Sequence, residues 1–239
     1  MGISGGPDMI QDGLVLSLDA SDLNSYRSGS ATWFDVSGNN VTGSFSGSTF
    51  TNVNGGVVNF NGTSNYIDLG NPSVLDITTG ITHNIWINAS SARVSGNSGI
   101  FMKGRNPDPG GGSQSNTLIY ITTANTYAVL YGKNDGLVGV GVSYPMTYDT
   151  WVCYTSTYNQ TVQKLYRNGI EIVNQTAQTG SIYNTNQTGV QIGADVRYTL
   201  AAGRQYSGSI GLVQVYNRAL SAEEILQNYN ATKTRFGLK

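Results

Sequence analysis

The C-terminal stretch, residues 206–236 (YSGSIGLVQVYNRALSAEEILQNYNATKTRF), constrains the fold more than any other part of the chain. It predicts a glycine-marked turn, a strand of alternating apolar and polar residues, and then a short helix. Ser221 is a suitable N-cap, and Glu224 follows three residues later, as in a capping box. Ile225 and Tyr229 are one helical turn apart. Both are therefore expected to face the rest of the domain.

Upstream of this ending the sequence predicts many short strands separated by turn signals, at the spacing typical of an all-β sandwich. The dipeptide Asn61-Gly62 predicts a tight hairpin, and so do Asn159-Gln160 and Asn168-Gly169. We therefore expect a two-sheet antiparallel β-sandwich with one short C-terminal helix. Strands are predicted over residues 13–19, 57–60, 66–69, 81–88, 99–103, 117–123, 127–131, 136–142, 151–158, 164–167, 170–174, 190–193 and 209–216.

Composition excludes several classes of partner. Charged residues make up 11% of the 239 residues and the net charge is −1, so no basic surface for nucleic acid is expected. No apolar run approaches the ~20 residues that span a bilayer, so no membrane insertion is expected. The start of the chain lacks the basic and apolar regions of a signal peptide. The single cysteine, Cys153, is expected to be a small buried core residue.

The chain is expected to form one folded domain. Its predicted strands and helix extend over residues 13–230 without a linker that would separate two domains. Residues 1–12 are expected to be an arm, and residues 231–239 an irregular tail. Irregular ends of this kind order on a partner in many proteins.

The acidic residues and the histidine argue against catalysis. Glycosidases place two carboxyl groups about 5–9.5 Å apart. The chain has three glutamates, of which Glu223 and Glu224 belong to the predicted helix, while Glu171 stands alone on a strand. His83 is the only histidine and lies in the middle of a strand, which favours a hydrogen-bonded sheet residue over a catalytic base. The sequence therefore predicts that the protein is not an enzyme.

A set of landmarks in order resembles the laminin-G-like family of the concanavalin A-like lectin/glucanase superfamily. The resemblance implies a jelly-roll β-sandwich, a fold that carries lectins, glycosidases and structural modules alike. The landmarks are residues 14–20 (LVLSLDA), 33–39 (WFDVSGN), 58–66 (VNFNGTSNY), 81–87, 151–154, 165–169 (LYRNG), 190–193 and 208–224.

The opening (GGP, then DGLVLSLDA) and the ending ALSAEEILQNYNATKTRFG are similar to virion-associated proteins of tailed bacteriophages. This resemblance implies a non-enzymatic virion structural protein, either a capsid decoration or a tail or fibre component. Its partners would be other virion proteins, further copies of itself as a homo-oligomer, and glycans of the host surface. The alternative is a free carbohydrate-binding lectin with a calcium site at the loop rim.

Calcium is the one metal that the resemblance suggests, and no other cofactor is expected. In related domains the loop after residues 190–193 bears ligands, and here Asp195 is the available acid. Asn106 and Asp108, in the long loop over residues 104–116, are candidate partners. The acid-rich form of the first loop is replaced by GADVR, so these residues alternatively cap turns or face solvent.

Tyrosines are the candidate sugar-binding residues. A tyrosine offers a flat apolar ring face and a polar tip, and the chain has 15 of them. Half-buried sheet residues are the alternative interpretation. The candidates are Tyr120, Tyr131 and Tyr144 on the central strands, and Tyr198 and Tyr206 in a rim loop.

Overall fold

The structure, a computed structural model, describes residues 8–92, 96–104, 116–132, 140–176, 179–184, 189–194 and 204–239. In these residues the chain forms sixteen strands, the helix α1 (Ala222–Thr232), and two 3-10 helices over Ser73–Leu75 and Lys233–Phe236. None of these helices is long and apolar enough to cross a membrane. The strands are β1 (Leu14–Asp19), β2 (Thr32–Phe34), β3 (Thr42–Ser46), β4 (Thr49–Thr51), β5 (Val57–Asn61), β6 (Tyr66–Asp68), β7 (Ile81–Ala89), β8 (Ser98–Lys103), β9 (Thr117–Ile121), β10 (Thr126–Tyr131), β11 (Val140–Pro145), β12 (Val152–Tyr158), β13 (Val162–Arg167), β14 (Ile170–Thr176), β15 (Val190–Ile192) and β16 (Ser207–Tyr216).

The strands form two antiparallel sheets packed as a sandwich. Sheet I has the order β14-β13-β12-β7-β16-β5-β4, and β1 also pairs with the long strand β16. Sheet II has the order β11-β10-β9-β8-β15-β6-β3-β2. The predicted two-sheet sandwich with one C-terminal helix is confirmed. Strands β9, β10 and β11 form a meander, because they are consecutive neighbours in sheet II.

The core lies between the inner faces of the two sheets. Residues directly opposite each other in antiparallel strands share a face, so each row of paired residues is either inner or outer. One inner row crosses each sheet, and its members are at most 3% exposed, apart from the half-buried Phe45. The row across sheet II is Phe45, Ile67, Ile192, Phe101, Ile119, Val129 and Val142. The row across sheet I is Tyr154, Ile85, Val213 and Leu18.

The hairpin predicted at Asn61-Gly62 is wrong. Strand β5 belongs to sheet I and β6 to sheet II, so the chain crosses between the sheets at this point. Asn61 Oδ1 accepts hydrogen bonds of 3.0–3.2 Å from the backbone N–H groups of residues 63–65. An asparagine that caps its own turn supports a crossover as well as a hairpin. Asn168 and Gly169, with φ of 53° and 77°, do join β13 to β14 as predicted.

Helix α1 begins at the predicted capping box. Ser221 Oγ accepts a hydrogen bond from the N–H of Glu224, and the Glu224 carboxylate accepts one from the N–H of Ser221. Ile225 is buried, and Tyr229 stacks on Trp86 with 5.8 Å between ring centroids. Both therefore face sheet I as predicted, and the helix covers part of the outer face of that sheet.

Residues 231–239 are not the irregular tail that the sequence predicted. Helix α1 continues into this segment, and a 3-10 helix follows it. Phe236 is 5% exposed and stacks on Trp86 with 4.2 Å between ring centroids. Its ring lies over Gly211 of β16, where an added Cβ would be 2.6 Å from the ring. A glycine far away in the sequence therefore makes room for the C-terminal aromatic residue.

The second half of the predicted N-terminal arm is bound to the domain. The N–H of Ile10 donates to Asn228 Oδ1 at 2.8 Å, and the Tyr216 hydroxyl donates to the Ile10 carbonyl at 3.1 Å. Gln227 Nε2 donates to the Asp8 carbonyl at 2.7 Å. Residues 1–7 of the predicted arm lie outside the described residues. Both described ends of the chain therefore lie against the outer face of sheet I.

Candidate functional site

Two of the tyrosines predicted to contact a sugar are core residues. Tyr131 and Tyr206 are both 0% exposed, so the prediction is wrong for these two positions. The Tyr131 hydroxyl lies 2.9 Å from Ser156 Oγ inside the sandwich. The Tyr206 ring packs edge-on against Phe60, with 5.8 Å between centroids. Neither ring offers a face to a ligand in solvent.

The remaining predicted tyrosines do not converge on one surface. Tyr120 pairs with Ala128 on the outer face of sheet II, whereas Tyr144 pairs with Tyr127, which is a core residue. Tyr120 and Tyr144 are half-buried and lie on opposite faces of the sheet. Tyr198 lies outside the described residues. A sugar contact of Tyr120 stays a prediction.

The predicted calcium site lies outside the described residues. The residues that flank its two loops are at opposite ends of β8: Asn116 donates its N–H to the Lys103 carbonyl at one end, and Gly99 donates to Arg204 at the other. In the described part of the chain, no group of three or more His, Cys, Asp or Glu side chains is placed to hold a metal. Calcium binding therefore stays a prediction. The three residues concerned are Asn106, Asp108 and Asp195.

The single histidine is a hydrogen-bonded sheet residue, as predicted. His83 Nδ1 lies 3.1 Å from the Tyr131 hydroxyl, which in turn contacts Ser156. All three side chains are at most 1% exposed. Burial lowers the pKa of His83 to about 3, so the imidazole is neutral at neutral pH. These groups support the core and are closed to a substrate.

The outer face of sheet II carries a row of polar residues. Thr32, Ser44, Asp68 and Gln191 form a continuous row across β2, β3, β6 and β15. Ser44 and Asp68 are exposed. A row of side chains along one sheet face contacts a ligand from one side only, whereas small-molecule sites are concave.

A concave polar cleft of about 400 Å³ lies on the outer side of sheet I. The β12–β13 hairpin forms one wall, and the connection from β16 to α1 forms the other. Thr82 Oγ1 donates to the Arg218 carbonyl at 2.8 Å and accepts from the Leu220 N–H at 2.9 Å, which fixes the connection to the sheet. The volume is in the range of small-ligand sites. Its lining includes Thr157, Asn159, Lys164, Tyr166, Arg218 and Glu224.

The strand wall carries one ion pair. Lys164 Nζ donates to Glu171 Oε2 at 2.8 Å, and the Tyr166 hydroxyl donates to the same oxygen at 3.3 Å. The hydrogen bond from Lys164 lowers the pKa of Glu171, and the same contact raises the pKa of Lys164. Both side chains are about one-third exposed (34% and 36%), so solvent screens the pair and it contributes little to stability.

The opposite wall carries a second ion pair. Arg218 Nη1 and Nη2 donate to the two oxygens of Glu224 at 2.8 and 2.7 Å, and Arg218 Nε lies 2.9 Å from Asp12 Oδ2. The hydrogen bonds from Arg218 lower the pKa of Glu224. The same carboxylate accepts the N–H of Ser221, so one side chain both caps α1 and shapes the cleft.

Two groups of the cleft keep open hydrogen-bonding capacity. Thr157 is 4% exposed, and its hydroxyl has no partner among the described residues. Asn159 Oδ1 accepts from the N–H groups of Thr161 and Val162, while its amide NH₂ has no partner in the same part of the chain. Thr157 lines the cleft, so water or a ligand there can form a hydrogen bond with its hydroxyl. The floor and the rim of the cleft therefore fit a hydroxyl-rich ligand.

Sequence reasoning missed this cleft. It identified Glu224 as a capping residue and Glu171 as an isolated acid, but it did not bring them to one site. The contact between Lys164 and Glu171 depends on the β13–β14 register, which shifts between Leu165 and Tyr166. The only local signal was the Asn-Gly turn, which places the two strands side by side.

The fold and the cleft together define the class of protein, which is a lectin-type jelly-roll sandwich with a polar surface site. The chain belongs to the concanavalin A-like lectin/glucanases superfamily, whose laminin-G-type family matches residues 61–226. The predicted family is thereby confirmed. No curated protein matches the sequence.

Several solved structures share the fold. The binding domain of botulinum neurotoxin DC, in complex with rat synaptotagmin II, is 14% identical with a TM-score of 0.71, over 93% of this chain and 52% of that chain. A structure of botulinum neurotoxin type C, whose cell entry depends on interaction with two ganglioside molecules, is 16% identical with a TM-score of 0.69. The match covers 93% of this chain and 52% of that chain. A mutant Trypanosoma rangeli sialidase displaying trans-sialidase activity is 15% identical with a TM-score of 0.64, over 93% and 33%.

This chain therefore spans about half the length of the neurotoxin binding domains that it matches. At these identities the similarity establishes the fold alone, which is that of concanavalin A-like carbohydrate- and receptor-binding domains. The function depends on the side chains of the site and not on the fold alone.

Proposed function

We propose that this chain is a non-enzymatic structural protein of a bacteriophage virion that displays a saccharide-binding module. The observation that carries the binding part is the polar cleft, whose Thr157 hydroxyl and Asn159 NH₂ group have no partner among the described residues. The virion location rests on the resemblance of the two ends of the sequence to phage virion proteins. The protein would be a capsid decoration or a tail or fibre component, assembled with other virion proteins and with copies of itself.

The placement of the chain ends suits display on a particle. The cleft borders the first turn of α1, whereas the C-terminal residues follow its last turn. Eleven helical residues separate the two ends of the helix by roughly 16 Å. Attachment of a particle at the C-terminal end would therefore be centred away from the cleft, on the same outer side of sheet I.

The cleft suits weak binding strengthened by many copies. Few of its polar groups keep open hydrogen-bonding capacity, and Tyr166, an aromatic residue in its lining, is 2% exposed and has no free ring face for stacking. Binding of one saccharide to one copy is therefore expected to be weak. Display of many copies on one particle raises the overall affinity without any new contact.

The acids of the cleft support a binding role over hydrolysis. A glycosidase needs a protonated acid with a raised pKa. The pKa values of Glu171 and Glu224 are both lowered by hydrogen bonds from Lys164 and Arg218. Neither carboxylate is suited to donate a proton at neutral pH.

Electron cryo-microscopy of particles from the source tests the virion assignment directly. We expect regular density for this domain at capsid or tail positions, with the C-terminal end of α1 nearer the particle than the cleft. If the protein is absent from every particle, the virion role is wrong, and a free lectin becomes the better assignment. In that case, loss of saccharide binding on adding a chelator would identify a calcium-dependent lectin.

A further inference from the structure

We infer that the cleft selects saccharides by charge: it takes hydroxyl-rich sugars that are uncharged or carry an amino group, and it rejects acidic sugars. This inference rests on the proposed function, because it names the ligand class of the same cleft. The proposed ligand class differs from that of one structural neighbour, botulinum neurotoxin type C, which interacts with gangliosides.

The charge balance of the cleft favours ligands that carry no negative charge. The chain has only 13 basic and 14 acidic residues, yet all three of its glutamates lie in or beside this cleft. Acidic side chains outnumber basic ones by two. The basic residues are Lys164 and Arg218, and the acidic residues that line the cleft or bond to its lining are Asp12, Glu171, Glu223 and Glu224.

Both cations of the cleft are already engaged by carboxylates of the chain. Arg218 donates Nη1 and Nη2 to Glu224, and its Nε contacts Asp12. Lys164 donates to Glu171. An incoming carboxylate would have to displace one of these anions, or lie among them and be repelled. A sugar ammonium group can instead approach Glu223, whose carboxylate is paired with no cation in the described part of the chain.

The start of α1 does not reverse this balance. A free helix N-terminus favours anions. Here the capping box satisfies the N–H groups of Ser221 and Glu224, and two carboxylates occupy the first turn. The positive end of the helix dipole is therefore compensated from within the chain.

The open hydrogen-bonding capacity of the cleft suits the hydroxyl groups of a sugar. The Thr157 hydroxyl both donates and accepts, as a sugar hydroxyl does, and the Asn159 NH₂ donates at the rim. Neither group needs a charge on the ligand. Recognition of hydroxyls, combined with an excess of negative charge, defines a class of neutral or amino saccharides.

The test uses three tetrasaccharides: N-acetylated chitotetraose, its deacetylated form, and tetragalacturonic acid. Amide chemical shifts of the full chain are followed by NMR at low ionic strength and mildly acidic pH, where sugar amines are protonated. Glu171 and Glu224 stay ionised there because their pKa values are lowered. We expect shifts at cleft residues with the two chito-oligosaccharides and none with the galacturonate. The deacetylated form should bind about threefold more tightly than the acetylated form, and salt should reduce the difference.

Matched variants locate the effect. Thr157→Val removes the floor hydroxyl without changing side-chain shape and should weaken both chito-oligosaccharides, whereas Thr42→Val, at an exposed position of sheet II, should not. Glu171→Gln removes one negative charge and frees Lys164, so it should narrow the preference for the amino sugar. Asp68→Asn, an equal charge change on the exposed face of sheet II, should leave the preference intact.

The outcomes separate the two proposals. Binding of tetragalacturonic acid at the cleft amides, at least as tight as that of the chito-oligosaccharides, would overturn the charge inference while the saccharide-binding function stands. If none of the three sugars perturbs the cleft, the saccharide-binding function itself fails, and the charge inference fails with it. Binding that is unaffected by Thr157→Val and Glu171→Gln would place the site elsewhere and overturn the inference.

Discussion

Replacing Phe236 with alanine tests the finding that the C-terminal residues belong to the core. The ring is 5% exposed, stacks on Trp86 at 4.2 Å, and lies 4.7 Å from Trp151 between centroids. Truncation of a buried phenylalanine costs about 3–5 kcal/mol through lost burial and the cavity that remains. For a domain of this size each kcal/mol corresponds to roughly 2–4 °C, so Tm should fall by about 10 °C.

The assay is denaturant unfolding followed by tryptophan fluorescence, because two of the three tryptophans contact this ring. Leu226→Ala is the matched control, since Leu226 is 44% exposed on α1. It should change the free energy of unfolding by no more than about 0.5 kcal/mol. A loss below about 1 kcal/mol for Phe236→Ala would refute the packing of the C-terminal segment.

A double-mutant cycle with Gly211 checks the contact itself. An alanine Cβ at position 211 would lie 2.6 Å from the Phe236 ring, so Gly211→Ala alone should destabilise the protein by about 1–3 kcal/mol. In the Phe236→Ala background the added methyl group has room, and its cost should largely disappear. Additive costs of the two changes would contradict direct contact between the two residues.

Three further predictions follow from buried groups of the described structure. Because burial lowers the pKa of His83 to about 3, the unfolded state takes up the proton first, so stability present above pH ~6.5 is lost as the pH falls toward 3. The free energy of unfolding, measured by chemical denaturation at about pH 7.5 and about pH 5, should fall by about 2 kcal/mol more in the wild type than in His83→Gln. An equal fall in both proteins would contradict this. Burial raises the pKa of Cys153 to about 12, so a thiol reagent should label it only after unfolding, and rapid labelling of the native protein would disprove its burial. Arg235→Met leaves the largely buried Asp19 without its cation and should cost about 3–5 kcal/mol by chemical denaturation. Arg235→Lys should recover only part of this, because lysine lacks the second branch that donates to the Gly56 carbonyl, and full recovery would argue against the fork geometry.

The features that sequence predicted correctly are those set by local chemistry. The capping box of Ser221 and Glu224 involves residues three positions apart, so its signal is contained in the sequence itself. The left-handed conformation of Asn168 follows from the preference of asparagine before glycine in a two-residue turn.

The failures involve contacts between distant segments. Asn61 satisfies the backbone of its own turn, and nothing nearby in the sequence shows that the next strand joins the other sheet. Phe236 is buried because Gly211 leaves space beneath it, a relation between positions 25 residues apart. The local sequence around Tyr131 and Tyr206 does not distinguish them from surface tyrosines, and only the pairing of the sheets places both in the core. The cleft belongs to the same category, because its walls come from two hairpin strands and a helix connection.

The outer face of sheet I links stability to the shape of the cleft. Polar groups at its centre are buried and therefore need partners. Trp86 Nε1 donates to Thr232 Oγ1 at 2.9 Å, and Asn228 Nδ2 donates to the Tyr216 hydroxyl at 3.0 Å, which anchors the last turns of α1.

The first turn of the same helix is held by the bidentate pair of Arg218 and Glu224. A shift of the helix along the sheet would break all three attachments together and leave buried donors without acceptors. The helix therefore has one well-defined position, and that position fixes the wall of the cleft that Arg218 and Glu224 form. The hydrogen bonds that secure the C-terminus to the sandwich are thus also those that hold the proposed site in shape before any ligand arrives.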